Sequence, residues 1–343
     1  MSEGFVPRRG VNLSHWFSQY GDPSSRRTVA PADLRGIRAA GMDHVRLPVD
    51  PEFLRNFDSG TYEADTLAEI DAALTEIDAA GLCVVVDLHP SPDFKARMAV
   101  SPDLLDRLAS TWSTLAGRWA QRLGPERLAF ELLNEPVLDD VDRWAETSNR
   151  LLRRVRDVAP EHGVVLCGAA WSSADDLCAL PPPVFDRLIY TFHFYEPHVF
   201  THQGAGWGKS EWEPVRGIGY PPSPNEAERI EEPSAHEAVR CYVDEGWGAR
   251  RVDEWVARAA AWGARHGVPI WCGEFGVYAA FSPPASRVRW LRDAREAFER
   301  HGVGWTTWDY RGGFAMVRSK PEPGGAPEFD PGVLDALGLG REG

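Results

Sequence analysis

Short runs rich in β-branched and aromatic residues alternate with amphipathic stretches along almost the whole chain of 343 residues. Eight of these runs have the length and composition of buried strands, namely 10–16, 44–49, 83–89, 128–134, 164–168, 188–195, 269–275 and 304–310. Each is followed by a helical pattern or a long connection. Because strands joined by helices run parallel, these units predict an α/β fold, a closed (β/α)₈ barrel of the TIM-barrel type.

The stretches between the strand candidates carry apolar residues at helical spacing. Leu67, Ile70, Leu74 and Ile77 recur in this way, and the pattern stops at Gly81, a residue typical of helix ends. Similar stripes fall within 104–119, 252–262 and 288–298. Such stripes are typical of helices that cover the outside of a sheet, so we interpret them as core rather than as ligand-binding residues.

One segment breaks this rhythm. Residues 196–248 are rich in Gly, Pro, Trp and Glu and show no clear period. Long irregular loops in compact domains are usually functional or disordered. We therefore predict one barrel domain over 1–343, in which 196–248 is a long loop after the sixth strand that lines the cleft.

Polar residues lie where several strand candidates end. Asn134 and Glu135 follow one apolar run, and Glu274 lies at the end of another. The carboxyl ends of all strands in a parallel barrel meet at one mouth, so the two acids are expected to face one cleft. Two such acids are the minimum machinery for cleaving a glycosidic bond, since one protonates the leaving oxygen while the other attacks or stabilises the sugar carbon. Other strand ends carry Arg46, His89, His193, Tyr195 and Trp308.

Each of these residues has a structural alternative when it is taken alone. A histidine at a strand end is more often structural than catalytic, and Arg46 could pair with a core acid such as Asp87. Asn134-Glu135-Pro136 could be a simple turn, because proline disfavours helical geometry in the residue before it. Buried charges are costly unless they are paired, so polar or aromatic groups at six strand ends favour one functional site over six coincidences.

In this order and on these strands, the residues resemble glycoside hydrolase family 5, a cellulase-like family whose catalytic acids lie on strands four and seven. The resemblance is carried by Arg46, His89, Asn134-Glu135-Pro136, His193, Tyr195, Gly273-Glu274-Phe275-Gly276 and Trp308, and it extends from about Gly10 to Tyr310. It implies a retaining mechanism, with Glu135 as general acid and then base and Glu274 as the nucleophile that forms a glycosyl-enzyme intermediate. Retention requires carboxyl groups about 5–5.5 Å apart.

The resemblance also implies roles for the neighbours of the two acids. Glu135 is expected to hold its proton because of burial and the charge of Glu274, and hydrogen bonds from Arg46 and Tyr195 are expected to keep Glu274 ionised. Asn134 would donate to the sugar 2-hydroxyl. The remaining members would complete the site, His89 and His193 as its polar floor and Trp308 as a ring that stacks on a sugar face.

Tryptophans elsewhere and a histidine pair leave alternatives open. Trp16, Trp171 and Trp207 could bind sugar faces or could equally serve core packing or loop anchoring, and we include Trp207 among the predicted substrate-binding residues. His198 and His202 lie four residues apart, a spacing that could bind a metal on a helix. No helical pattern or third ligand is evident there, so we favour a loop packed over the site and predict no metal and no cofactor.

The favoured activity is that of an endo-β-1,4-glucanase. A β-mannanase, an exo-β-1,3-glucanase or a β-glucosidase-like enzyme stays open, because linkage choice depends on loop shape rather than on the shared residues. Two remoter alternatives are a non-catalytic sugar-binding barrel and a metal-dependent barrel hydrolase.

Charge and cysteine content restrict partners and compartment. A net charge of −14 opposes binding to nucleic acid or acidic membranes, so the expected partner is a β-linked oligo- or polysaccharide. The five cysteines show no paired ligand spacing, and those at 83, 167 and 272 are expected to be buried in a reduced compartment. Without an apolar leader pattern or a run of about 20 apolar residues, we expect a cytoplasmic protein, or a secreted one if a leader has been removed.

Overall fold

The structure, a computed structural model, describes residues 4–19, 23–138, 140–318 and 326–340. Its strands are β1 (Arg9–Asn12), β2 (His44–Val49), β3 (Cys83–Leu88), β4 (Leu128–Glu131), β5 (Gly163–Cys167), β6 (Leu188–Phe194), β7 (Ile270–Phe275) and β8 (Gly304–Thr307). Each strand pairs in parallel with the next one, and β8 pairs with β1 to close the barrel. The predicted (β/α)₈ barrel is confirmed, and every strand candidate overlaps an observed strand.

Helices surround this barrel. They are α1 (Pro31–Ala39), α2 (Pro51–Leu54), α3 (Ala64–Ala79), α4 (Pro92–Val100), α5 (Pro102–Ala120), α6 (Val141–Arg156), α7 (Ala174–Ala179), α8 (His198–Thr201), α9 (Pro233–Asp244), α10 (Ala249–His266), α11 (Pro284–Arg300) and α12 (Pro331–Ala336), with 3₁₀ turns at Pro23–Ser25 and Ala227–Arg229. The apolar stripes predicted as core face inward, as in α5, where Leu108, Trp112 and Trp119 are fully buried. Gly81 follows α3 with φ of 76°, a left-handed conformation that glycine adopts at little cost.

The interior of the barrel changes from apolar to polar along the strands. The layer nearest the amino-terminal ends is a separate apolar cluster of Val85, Ala129, Val165, Ile189 and Trp271. Side chains alternate across a strand, so the residues two positions further on point inward again. On β3 and β4 these are Asp87 and Glu131, which both contact Arg46 of β2. The polar layer therefore lies directly beneath the mouth where the strands end.

Three strands end at least three residues earlier than their sequence patterns predict. β1, β4 and β8 stop at Asn12, Glu131 and Thr307, although the apolar runs continue. Beyond β4 the chain still pairs through the amide of Asn134, which donates to the carbonyl of Leu88 over 2.8 Å.

The segment 196–248 is not the irregular loop that we predicted, because it contains α8, a 3₁₀ turn and α9. Ala235, Val239 and Tyr242 supply the buried face of α9, a stripe too short to stand out among the surrounding glycines and prolines. The buried side chain of Gln203 ties the first half of the segment together. It donates to the carbonyl of Phe200 over 3.0 Å and accepts from the amide of Ile218 over 3.0 Å.

All five cysteines are free. Cys167 and Cys272 are buried as predicted, whereas Cys83 is only half-buried because it begins β3 at the barrel's amino-terminal end. Among the described residues, no helix combines the length and the apolar character that crossing a bilayer requires.

Candidate active site

The barrel brings the predicted residues to its carboxyl-terminal mouth. Arg46, His193 and Glu274 lie within β2, β6 and β7. His89, Tyr195 and Trp308 follow β3, β6 and β8 directly, and Asn134-Glu135 follow β4 after two further residues. Parallel closure forces these ends to one side of the molecule. Residues far apart in sequence therefore share a single cleft.

The two predicted catalytic acids face each other across this cleft. Carboxylate oxygens of Glu135 and Glu274 and a ring nitrogen of His193 all lie within 4.8 Å of one another. This oxygen–oxygen approach is shorter than the separation of about 6.5–9.5 Å between the carboxyl groups of inverting glycosidases and is closer to the about 5–5.5 Å of retaining ones. It is compatible with direct attack by one acid on a sugar carbon that the other acid assists.

Glu274 is held by donors on two sides. Arg46 Nη1 donates to its Oε1 over 2.7 Å, and the Tyr195 hydroxyl donates to its Oε2 over 2.9 Å. His193 Nδ1 lies 3.6 Å from the same Oε2. Each carboxylate oxygen of Glu274 therefore accepts a hydrogen bond, and the two bonds fix the orientation of the carboxylate in the cleft. The contacts expected from Arg46 and Tyr195 are present.

Gly273, which precedes Glu274, occupies a position with no space for a side chain. A Cβ there would lie 2.8 Å from Thr191 Oγ1 and 3.3 Å from His193 Nε2. The Gly273 amide instead donates to Thr191 Oγ1 over 3.0 Å. This close approach of β6 and β7 sets the position from which Glu274 projects.

Glu135 has a different environment, and its protonation differs from our expectation. Burial raises the pKa of Glu135, but the hydrogen bond from His193 Nδ1 at 2.8 Å and the charge of that ring outweigh burial and lower the pKa to about 2. The Glu135 side chain also stays 21% exposed. Burial lowers the pKa of His193, yet Glu274 and Glu135 raise it overall. In the free protein the proton therefore belongs to the His193–Glu135 pair and rests on the imidazole.

Glu135 also has a strained backbone, with φ of 43°. Left-handed conformations are uncommon for residues other than glycine, and they persist where the surrounding structure imposes them. Pro136, the next residue, accepts a hydrogen bond from the amide of Trp171 over 2.9 Å. The chain bends at Asn134-Glu135, and this bend presents the Glu135 carboxylate to the cleft.

Arg46 organises the polar layer beneath both acids. Its Nε and Nη2 donate to Glu131 over 2.6 and 2.9 Å, and Nη2 lies 2.9 Å from Asp87 Oδ2. Burial lowers the pKa of Arg46, but Asp87, Glu131 and Glu274 raise it well above its usual value. Arg46 therefore makes both contacts, the structural pair with Asp87 and the functional pair with Glu274.

His89, Asn134 and Trp308 form the adjoining wall. His89 Nδ1 lies 2.8 Å from Asp87 Oδ2, and its Nε2 lies 3.2 Å from Asn134 Nδ2. The rings of His89 and Trp308 stack with centroids 5.8 Å apart and planes 18° apart. Burial lowers the pKa of His89 to about 3, so the ring is neutral at neutral pH. Only 8% of Trp308 is exposed, because it also packs in a cluster with Tyr195.

The other predicted aromatic residues divide into buried and exposed ones. Trp16 is buried and stacks on Phe17 with ring centroids 4.9 Å apart. It therefore serves core packing, the alternative to sugar binding. Trp171 is 56% exposed, and Trp207 is 61% exposed with its ring edge-on to Tyr278 at 4.7 Å. Tyr278 in turn packs against the cluster of Tyr195, Trp308 and Phe314.

His198 and His202 do lie on or beside a helix, the short α8, contrary to the absence of a helical pattern in the sequence. Their rings stack 5.3 Å apart, and His202 also packs edge-on against Tyr195 at 5.0 Å. Burial lowers the pKa of His198 to about 4 and that of His202 to about 3.

Within the described ranges, the group of side chains with metal-ligand spacing is Glu135, His193 and Glu274. These donors already bond to one another, to Tyr195 and to Arg46, whose positive charge lies 2.7 Å from Glu274 and opposes a cation. The absence of a metal stays a prediction.

Several site residues were missed in the sequence. Asp87, named only as a possible partner of Arg46, also contacts His89, and Glu131 and Asn12 contact Arg46 directly. The detectable signal was a polar residue at an inward position inside an otherwise apolar strand.

Comparison with known proteins agrees with the fold. A family model described as cellulase (glycosyl hydrolase family 5) matches residues 4–313. The chain is 31% identical to endoglucanase C of Acetivibrio thermocellus over 89% of this chain and 91% of that one, and 29% identical to cellodextrinase A of Ruminococcus flavefaciens over 88% and 84%. A structure of Thermotoga maritima Cel5A in complex with cellobiose superposes with a TM-score of 0.80 at 23% identity, covering 97% of each chain. This chain is therefore a glycoside hydrolase and belongs to the cellulase family, glycosyl hydrolase family 5.

Proposed function

We propose that this chain is a retaining endo-β-1,4-glucanase. The observation that carries the proposal is the approach of Glu135 and Glu274 to within 4.8 Å at the barrel mouth, with Arg46 and Tyr195 bound to Glu274. The endoglucanase and cellodextrinase names of the relatives support a β-glucan as the substrate class.

In the first step a carboxylate oxygen of Glu274 attacks the anomeric carbon while the glycosidic carbon–oxygen bond breaks. The departing oxygen takes a proton from Glu135. Arg46 and Tyr195 hold the Glu274 carboxylate by hydrogen bonds until attack, and these bonds weaken as the carboxylate charge is lost in the neutral ester.

The proton for the leaving group is stored on the His193–Glu135 pair. With the proton on the ring in the free protein, Glu135 receives it from His193 as the glycosidic oxygen gains negative charge. In the second step an ionised Glu135 removes a proton from water, the water oxygen attacks the anomeric carbon, and Glu274 leaves. The proton taken from water then passes from Glu135 to Nδ1 of His193, which restores the starting pair.

The walls of the cleft position the sugars. Asn134 donates to the 2-hydroxyl of the reacting sugar, Trp308 packs against its face, and Trp207 contacts a more distant sugar. We further propose that all of 1–343 forms one catalytic domain and that 196–248 lines the cleft. The support for this placement is the contact of His202 with Tyr195.

A panel of defined β-1,4-glucan, β-1,4-mannan and β-1,3-glucan oligosaccharides tests the substrate. An endoglucanase cuts cello-oligosaccharides at internal bonds and releases cellobiose and longer products. Release of single glucose units would instead indicate an exo-glucanase or a β-glucosidase-like enzyme, and preference for manno-oligosaccharides would indicate a mannanase.

Glu274→Gln tests the mechanism in the same assay. The variant removes the nucleophilic charge with little change in shape, so hydrolysis should fall by at least about 10⁴-fold. Asp71→Asn is the matched control, because it neutralises a buried acid that pairs with Arg118 on the outer helices. Unchanged cleavage by Glu274→Gln would leave the chain as a different kind of hydrolase, and no cleavage by the wild type would indicate a non-catalytic sugar-binding barrel.

A further inference from the structure

We propose that Asp87 is a positioning residue that acts through His89 to orient the side-chain amide of Asn134 toward the reacting sugar. Asp87 lies one layer below the mouth and is fully buried, so it cannot touch substrate itself. The inference rests on the proposed function, because the amide it orients is the one assigned to the sugar 2-hydroxyl.

The first step is the contact between Asp87 and His89. Asp87 Oδ2 lies 2.8 Å from His89 Nδ1 and 2.9 Å from Arg46 Nη2. An ionised carboxylate can only accept hydrogen bonds. His89 must therefore carry its hydrogen on Nδ1, and Asp87 selects this tautomer of the ring.

The second step follows from the tautomer. With hydrogen on Nδ1, the Nε2 atom of His89 offers a lone pair, and Asn134 Nδ2 donates to it over 3.2 Å. At the other end of the amide, Arg46 Nη2 donates to Asn134 Oδ1 over 2.9 Å. Since the amide nitrogen has two hydrogens and His89 takes one, the other is left for a sugar hydroxyl.

The charge states of Asp87 and His89 suit this relay, the series of hydrogen bonds from Asp87 through His89 to Asn134. Burial lowers the pKa of His89 to about 3, so the neutral ring has a tautomer to select at neutral pH. Burial raises the pKa of Asp87 to about 6, while Arg46, His193 and Lys95 oppose that shift. At neutral pH Asp87 is therefore a carboxylate, and the relay has its acceptor.

A simpler role for Asp87 is to balance the charge of Arg46. Glu131 already does this with two hydrogen bonds to the guanidinium, and it makes none to His89 among the described contacts. The two buried acids thus differ in one respect, the contact with the imidazole, and this difference allows a matched control.

The experiment compares Asp87→Ala, Asp87→Asn and Glu131→Gln with the wild type. Nitrogen-15 NMR of labelled histidine reports the tautomer of His89, with His89→Gln used to assign its signal. Steady-state kinetics on a cello-oligosaccharide report kcat and KM. The tautomer readout needs no activity, so failure of the relay can be told apart from failure of the proposed function.

We expect a wild-type His89 signal of the Nδ1–H tautomer and a shift toward the Nε2–H form in Asp87→Ala. The kcat value should fall by about ten- to a hundredfold, as is typical when the hydrogen-bond partner of a functional histidine is removed, with a smaller change in KM. The kcat of Asp87→Asn should lie between those of the wild type and Asp87→Ala, because the amide oxygen still accepts a hydrogen bond but carries no charge. Glu131→Gln should leave the His89 signal unchanged.

An unaltered Nδ1–H signal in folded Asp87→Ala would overturn the proposal, as would an equal shift in Glu131→Gln. If Asp87→Ala does not fold, the test uses Asp87→Asn. A wild-type kcat together with a wild-type His89 signal in Asp87→Asn would also overturn the proposal.

Discussion

At the scale of single residues, the two acids of the cleft are the same amino acid in different surroundings. Glu274 receives hydrogen bonds from Arg46 and Tyr195, whereas Glu135 shares a proton with His193. Environment of this kind is what divides acid and nucleophile roles between paired carboxyl groups.

This division predicts how Glu135→Gln depends on the leaving group. Cleavage of cello-oligosaccharides should fall by about 10²–10⁴-fold, because a sugar hydroxyl leaves poorly without a proton. A dinitrophenyl β-cellobioside needs no such help, so its first step should be nearly preserved and should appear as a rapid burst of phenolate. Stopped-flow absorbance measures the burst, and an equally large loss on both substrates would contradict the assigned role.

The sequence predicted the identities of the mouth residues but not their protonation. Arg46, Glu135 and Glu274 could be found because each interrupts or ends an apolar run. The proton shared by Glu135 and His193 could not be found, because it depends on a 2.8 Å contact between residues on different strands. Burial and the charge of Glu274 alone led to the wrong expectation.

At the scale of elements, the regular βα units could be predicted from the sequence, whereas the helices of the segment 196–248 could not. Long apolar stripes such as that of α5 define a helix without tertiary information. The short α8 instead depends on packing, since His202 contacts Tyr195 and Phe314 across the barrel mouth.

That packing predicts a pH-dependent stability. Burial, with a smaller contribution from His198, lowers the pKa of His202 from 6.5 to about 3 against the opposing charge of Glu135. In the unfolded chain His202 takes up a proton near pH 6.5, whereas in the folded chain it does so only near pH 3. The contribution of the neutral His202 to the free energy of unfolding is therefore complete above pH 6.5 and is lost as the pH falls toward 3.

His202→Phe keeps the ring contacts and removes the titration. Across this window the free energy of unfolding of the wild type should fall more steeply than that of the variant, by at most about 1.4 kcal/mol per pH unit. Denaturant titrations at several pH values measure both slopes. Parallel slopes would show that His202 is not held neutral by the fold.

A helix start gives a second prediction at this scale. Ser101 Oγ accepts from the amide of Leu104 over 3.2 Å at the beginning of α5. Ser101→Ala should lower the free energy of unfolding by about 1 kcal/mol, the usual value of such a cap. Ser110→Ala, an exposed position inside the same helix, should be neutral or slightly stabilising because alanine is the better helix former. Thermal unfolding measures both variants, and equal changes in the two would argue against a stabilising cap at Ser101.

At the scale of the whole molecule, the net charge of −14 predicts how salt affects catalysis. A carboxymethylated glucan is a polyanion that the acidic protein repels, so kcat/KM on it should rise as salt screens the repulsion. A neutral soluble β-glucan should show little change. Reducing-sugar assays from about 10 to 500 mM sodium chloride cover Debye lengths of about 30 Å down to a few ångströms. Falling rates on the charged substrate would indicate a positively charged cleft instead.

Glu135 and Glu274, whose carboxylate oxygens approach within 4.8 Å of each other, act in our proposal as the acid and the nucleophile of a double displacement. The most direct measurement is proton NMR of a cello-oligosaccharide during its first minutes of hydrolysis, before the new reducing end equilibrates. Double displacement predicts that the β-anomer appears first and the α-anomer only later by mutarotation. Initial appearance of the α-anomer would mean single displacement by water and would contradict the account.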